Sequence, residues 1–403
     1  MKKYLLLSIL ILNLNHMLAA QQIVNDEETQ VPDLVVPDIL ISYEGIRIQS
    51  LEDWEKIRRP EVLQAFADHM YGQLPRDYDE INFSTEFPKA NPYSEFSDYK
   101  TIQIEVSRLG KTQSLPLHLF TPKELTGPFP IILLISHRQA DELIDNTEDQ
   151  FFDIPQIIQR GYAAAVFDVE YVSPDDKDRF TDGILSTLYP EQMQLPDGMR
   201  GLGAWAWGAM RAMDYFEQDP MIDQNKSAIV GHSRGGKAAL WCGANDVRWT
   251  ITYSNESGCG GAAFSRRKFG ETVERINTAF PYWFTDNFNA YNGKEENLPF
   301  DQHQLIASLA PRAVYVASAM EDLWADPKGE YLSLKFASAA FNQIYGADIE
   351  LPETYVFSPH FHHTGSVGYH LRAGQHNLIA EDWSRFLDFA DLQFGKIAQQ
   401  DSR

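Results

Sequence analysis

The chain has 403 residues, 44% of them hydrophobic, and a formal net charge of −23. A chain this acidic repels phosphate backbones and anionic lipid surfaces, which excludes nucleic acid and a charged membrane face as partners. An aromatic content of 12% excludes a mostly disordered chain, and the two cysteines, Cys242 and Cys259, can build neither a disulfide framework nor a cysteine zinc site.

The N-terminus reads as an address. Lys2 and Lys3 precede an apolar run from Tyr4 to Leu12, and small residues follow at Ala19 and Ala20. This is the order of a secretory signal peptide over residues 1–20. The run is shorter than the ~20 apolar residues a membrane span needs. No cysteine follows it, so no lipid anchor is expected, and the product should be soluble and secreted or periplasmic.

Residues 21–98 read as an N-terminal arm with a helix that packs on the body. The arm, to about residue 58, is rich in Asp, Glu, Pro and Gln. Pro60 to Tyr71 then predicts a helix, with Pro at a first-turn position and Val62, Leu63, Phe66 and Met70 at helical spacing. Residues 99–398 read as one catalytic-size domain. Lys100–Val106 and Leu115–Phe120 predict a hairpin. Short apolar runs at Ile131–Ile135, Ala163–Phe167, Ser227–Val230, Ile251–Ser254 and Ala313–Ser318 predict buried strands. Leu202–Phe216 predicts a long helix and Ala380–Phe394 a closing amphipathic one, with Trp383, Phe386, Leu387, Ala390 and Phe394 on one face. Such alternation argues for a mostly parallel sheet flanked by helices.

One turn carries chemistry. Gly231, Ser233 and Gly235 make a G-x-S-x-G between an apolar strand and an Ala/Leu-rich helix, the context of a nucleophile elbow. The turn is tight, so flanking positions must lack bulk, and the serine is pushed clear of the sheet at a helix N-terminus that favours negative charge. An elbow needs a base and an acid downstream. His303, His360, His362, His363, His370 and His376 all follow Ser233, and His376 stands in a loop just before the last helix. His360, His362 and His363 form a cluster that admits a zinc site or a solvated loop, and the loop is preferred because no acid stands at ligand spacing. Glu256 and Asp322 each follow a strand, at the edge where open α/β sheets bind ligands. One well-placed carboxylate suffices to orient the histidine.

From roughly Tyr99 to Phe394 these residues resemble the bacterial glucuronoyl esterases of carbohydrate esterase family 15. The resemblance rests on Gly231-His232-Ser233-Arg234-Gly235-Gly236-Lys237, Ser254-Asn255-Glu256-Ser257-Gly258, Phe269-Gly270-Glu271-Thr272, Phe280-Pro281-Tyr282-Trp283-Phe284, Trp324-Ala325-Asp326-Pro327 and Gln375-His376-Asn377-Leu378. It implies an α/β-hydrolase fold, a three-layer sandwich, and hydrolysis of the ester between a (4-O-methyl-)glucuronic acid of glucuronoxylan and a lignin-type alcohol. By position it implies Ser233 as nucleophile, His376 as base, and Glu256 or Asp322, with Glu256 favoured, as acid. Arg234 falls on the oxyanion side, and Lys237, Glu271 and Trp324 on positions that contact the glucuronate. Two segments depart from the pattern. His232 replaces the cysteine that fungal members carry before the nucleophile, and Ser136-His137-Arg138-Gln139-Ala140 lacks the expected glycine- and asparagine-bearing loop.

The chemistry of the residues agrees. A glucuronate ester hides its carboxylate, so Arg234 and Lys237 are free to hold hydroxyls and a developing oxyanion, and an indole such as Trp324 makes a sugar platform. Two-step acyl transfer through Ser233 needs no metal and no organic cofactor. The alternatives are an acetyl esterase on decorated xylan, which would use the same triad, and a non-catalytic polysaccharide-binding homologue.

Overall fold

The computed structural model describes residues 24–88 and 90–396; the expected signal peptide lies outside the described residues. Ten strands form a single sheet in the order β1-β2-β3-β5-β4-β6-β7-β8-β10-β9. They are β1 (Glu80–Glu86), β2 (Ser97–Arg108), β3 (Lys111–Pro122), β4 (Phe129–Ser136), β5 (Ala163–Asp168), β6 (Ile222–His232), β7 (Ile251–Asn255), β8 (Ala313–Ala319), β9 (His360–Thr364) and β10 (Val367–Arg372). The central run from β5 through β4, β6, β7 and β8 to β10 is parallel. Antiparallel strands close both ends, β1, β2 and β3 on one side and β9 on the other.

Both faces of the parallel run are covered, which is why its strands read as unbroken apolar stretches rather than alternating ones. In β4, Ile131, Leu133 and Ile135 enter one core cluster and Ile132 and Leu134 the other. The first cluster includes Leu202 and Trp205 from α3 (Gly201–Phe216), Leu240 and Trp241 from α4 (Arg234–Asn245), and Tyr331 and Leu334 from α5 (Pro327–Tyr345). The second includes Ile154 and Ile157 from α2 (Ile154–Gln159) and Trp383, Phe386, Leu387 and Ala390 from α6 (Ala380–Gln393). Helix, sheet, helix is the α/β-hydrolase architecture. Among the described residues, no helix is long and apolar enough to cross a membrane.

Every strand expected from the apolar runs is present. Other expectations need correction. The sheet also takes in β1, which lies within residues 21–98. The helix expected from Pro60 belongs to a run that already starts at Leu51, where the Ser50 side chain accepts from the Asp53 amide at 3.1 Å. It runs through wide π-type turns at Trp54–Arg58 and Ala67–Tyr71, with α1 (Arg59–Phe66) between them. Pro60 is thus interior to the helical run, and the widened turn before it accommodates a residue that offers no N–H. The histidine cluster is a strand rather than a loop: His360, His362 and His363 lie in edge strand β9, paired with β10. Among the described residues, no group of three metal-donor side chains includes them. His303 is buried and bonds the carbonyl of Pro37 at 2.8 Å, which makes it a tie to the arm.

Candidate active site

β6 ends at His232, and Ser233 turns the chain with φ 55° and ψ −123° before α4 begins. This left-handed conformation is costly for a residue with a Cβ and persists only where the surroundings impose it. The surroundings do so. A Cβ on Gly231 would lie 2.1 Å from the carbonyl of Gly235, and one on Gly235 would lie 2.8 Å from the carbonyl of Ile135. The Ser233 amide is pinned to the carbonyl of Asn255 at 2.8 Å. Its hydroxyl does not cap α4 and remains available for chemistry.

His376 comes from the loop between β10 and α6. Its Nδ1 lies 2.6 Å from Asp322 and 3.2 Å from Glu256. Both acids expected from the sequence therefore converge on one ring nitrogen. The shorter bond goes to Asp322, whereas the sequence favoured Glu256. The reason is that Glu256 is engaged elsewhere: one oxygen accepts from Arg372 at 2.5 Å and the other from the Asn377 amide at 3.0 Å. Glu256 is buried and its backbone is left-handed, with φ 45°.

Charge follows from these contacts. Burial would lower the pKa of His376, but the hydrogen bonds to Asp322 and Glu256 outweigh it and raise the imidazole to about 9. Burial pushes the Glu256 carboxyl up to about 7, against the pull of His376 and Arg372. The neighbouring imidazoles behave oppositely. His232 sits with its ring 4.4 Å from that of His376 and bonds Asn255 at 2.6 Å. Burial and then the His376 cation hold it well below its ordinary value. His137 falls to about 3, through burial and the nearby Arg234. His376 is thus the one imidazole of the three whose pKa is raised rather than lowered. Its side chain is 41% exposed, which leaves a face open to substrate.

Glu256, Asp322 and His376 also bring one potential ligand atom each within 4.8 Å of one another. Arg372 and the Asn377 amide already occupy the Glu256 oxygens, and a shared imidazole N–H fits between the carboxylates. The arrangement suits a general base oriented and charge-balanced by two carboxylates.

The remaining expected residues form a second group. Arg234 pairs with Asp175 at 2.5 Å and lies over the rings of Trp283 and Phe280, at 4.7 and 5.2 Å. Its Nε is buried with no partner among the described residues, a spare donor one residue from the nucleophile. Lys237 is buried on α4, donates to the carbonyl of Ser257 at 2.6 Å and lies 3.9 Å from Glu271. Burial lowers its ammonium pKa and raises that of the Glu271 carboxyl, and each opposes the other's shift. Trp324 hydrogen-bonds the Glu271 carboxylate and is 43% exposed. Lys237, Glu271 and Trp324 therefore make a connected polar cluster that ends in an exposed indole, over which the Arg275 guanidinium lies at 5.5 Å.

Two supporting residues escaped the sequence reading. Arg372, at the end of β10, ties Glu256 to Asp382 and also donates to the carbonyls of Gln375 and Asn377, at 3.1 and 2.6 Å. It brackets His376 and fixes its loop. The signal was the Tyr369-His370-Leu371-Arg372 run, legible only once β10 is known to end there. Asp175 orients Arg234 and also accepts from Tyr282 and from the Trp283 indole, at 2.9 and 2.8 Å. It stands in an acidic stretch with no motif around it.

The chain is similar to known proteins over most of its length. The family model for fungal glucuronyl esterases matches residues 104–346. A carbohydrate esterase, MZ0003, from an unidentified prokaryote is 36% identical over 401 residues, covering 91% of each chain. A glucuronoyl esterase from Solibacter usitatus superposes with a TM-score of 0.82 at 34% identity, over 91% of this chain and all of the other. A promiscuous family 15 esterase from a marine bacterial metagenome gives 0.81 at 35%, over 91% and 99%. The chain belongs to the glucuronoyl esterases of carbohydrate esterase family 15, a family of carboxylic ester hydrolases, on its bacterial side.

Proposed function

We propose that this protein is exported and hydrolyses the ester between a (4-O-methyl-)glucuronic acid on glucuronoxylan and a lignin-type alcohol, through an acyl-enzyme. His376 takes the proton of Ser233, whose oxygen attacks the uronoyl carbonyl. The oxyanion is held by backbone N–H groups at the start of α4 and by the unpartnered Nε of Arg234; a single donor of this kind is worth about 3 kcal/mol in the transition state. His376 then protonates the departing alcohol, and water releases the glucuronate by the reverse route. Asp322 and Glu256 share the imidazolium charge.

The observation that carries the reading is the pairing of His376, held by Asp322 and Glu256, with the cluster of buried Lys237 and Glu271 and exposed Trp324. The His376 base serves any ester, and the cluster offers a cation, an anion and an indole, groups suited to sugar hydroxyls. The test is turnover of benzyl glucuronate against an acetylated xylooligosaccharide. Turnover of the first with little of the second is expected. The reverse preference would make the protein an acetyl esterase, and no turnover of either would make it a binding protein.

A further inference from the structure

The loops that carry Glu271 and Trp324 are held by a third segment, from the far end of the chain. The carbonyl of Asn25 accepts from the Gly270 amide at 2.8 Å, and the Asn25 side chain reaches the carbonyl of Lys268 at 3.4 Å. Three residues on, Glu28 divides its carboxylate. One oxygen accepts from Arg267 at 2.5 Å and the other from Lys328 at 2.6 Å. Arg267 stands just before the Glu271 loop and Lys328 just after the Trp324 loop. Arg267 also pairs with Asp326 at 2.8 Å, and Asp326 caps α5.

The two loops need outside support. Lys268 and Asp326 both hold left-handed backbone without being glycine, with φ 49° and 55°. Such residues persist when neighbouring structure over-determines them. The loops also touch closely: the Glu271 amide donates to the carbonyl of Trp324 at 2.9 Å, and a Cβ on Gly270 would lie 2.3 Å from that oxygen. A shift of either loop would move the Glu271 carboxylate relative to the Trp324 ring. Among the described residues, Glu28 is the single side chain that bonds both Arg267 and Lys328, and it makes no hydrogen bond or ion pair with Ser233, His376, Glu256 or Asp322.

We infer that residues 25–28 act as a strap that sets the spacing of the Glu271 and Trp324 loops, which makes Glu28 a positioning residue for recognition of the sugar acid. This rests on the reading of Glu271 and Trp324 as sugar contacts, so the test separates the two. Trp324 is the one exposed tryptophan of eight, the other seven being buried, so acrylamide quenching of tryptophan fluorescence reports chiefly on its loop, with Trp324→Phe as calibration.

Glu28→Ala should raise the quenchable fraction and raise KM for benzyl glucuronate by about three- to fivefold, the scale of losing two partly exposed charge pairs. The rate on a small activated acetate ester should not change. Glu28→Gln, which keeps the shape and loses the charge, should fall between. Lys328→Ala removes one of the two links and should give a smaller shift in the same direction, which keeps the test available if Glu28→Ala folds poorly. Unchanged quenching and unchanged KM in these variants overturn the strap. A shift in quenching with unchanged KM overturns its role in recognition. If Trp324→Ala itself leaves KM unchanged, the failure lies in the sugar-contact reading instead.

Discussion

Two carboxylates on one imidazole nitrogen make a quantitative prediction. Asp322→Ala removes the shorter of the two bonds to His376 and leaves Glu256 at 3.2 Å on the same Nδ1. A hydrogen bond to a charged group is worth roughly 1.5–3 kcal/mol, so the loss on the alkaline plateau of kcat/KM should be about ten- to a hundredfold. That is far short of the ~10⁴-fold seen when a triad aspartate has no substitute. The loss should also depend on pH, and the sign is fixed by the imidazole. The base must be neutral, and with His376 raised to about 9, activity climbs with pH through that value. At pH 7 only about 1% of the enzyme carries the neutral ring. Removing Asp322 takes away one of the interactions that raise the pKa, so the acid limb moves down and the neutral fraction at pH 7 grows. The variant should look nearly wild type at pH 7 and clearly impaired at pH 9.5. Adding Glu256→Gln should bring the plateau loss towards 10⁴-fold. The assay is kcat/KM for benzyl glucuronate from pH 5 to 10 on the wild type, the two single variants and the double. An Asp322→Ala enzyme as inactive as Ser233→Ala at every pH, or a wild-type acid limb at the ordinary histidine value, refutes shared duty.

Trp324→Ala should raise KM for the glucuronate ester about three- to tenfold, the worth of one aromatic face, and leave turnover of a small acetate ester intact; equal losses on both would place it outside sugar recognition. Lys237→Ala should show the same split together with a lowered melting temperature, because it leaves Glu271 buried without its cation. Arg372→Met should cost about 3–5 kcal/mol in urea unfolding, since it orphans Glu256 and Asp382 together, and should slow catalysis on both substrates because the His376 loop loses its bracket. Gly235→Ala should lower stability by about 1–3 kcal/mol, because its Cβ meets backbone rather than a side chain that can move.

The elbow was legible in the sequence because its constraints are local. Gly231 and Gly235 answer steric limits within a few residues of Ser233, and the apolar strand and Ala-rich helix on either side are ordinary periodic signals. The strands of the parallel run were legible for the same reason. Elements that depend on distant partners were not. β9 contains four aromatic or histidine residues in a row and reads as polar loop until β10 lies beside it. The helical run beginning at Leu51 was hidden by Pro60, which reads as a start signal and is accommodated here by a π-type turn. The balance between the acids was also out of reach, because it is decided by Arg372, 116 residues beyond Glu256.

Acyl transfer through Ser233 on a glucuronate ester comes down to one rate constant: kcat/KM of Ser233→Ala on benzyl glucuronate, with circular dichroism matching the wild type. The expected loss is on the order of 10⁵- to 10⁶-fold, the scale found when a hydrolase nucleophile is removed. A correctly folded variant within tenfold of wild type would contradict it.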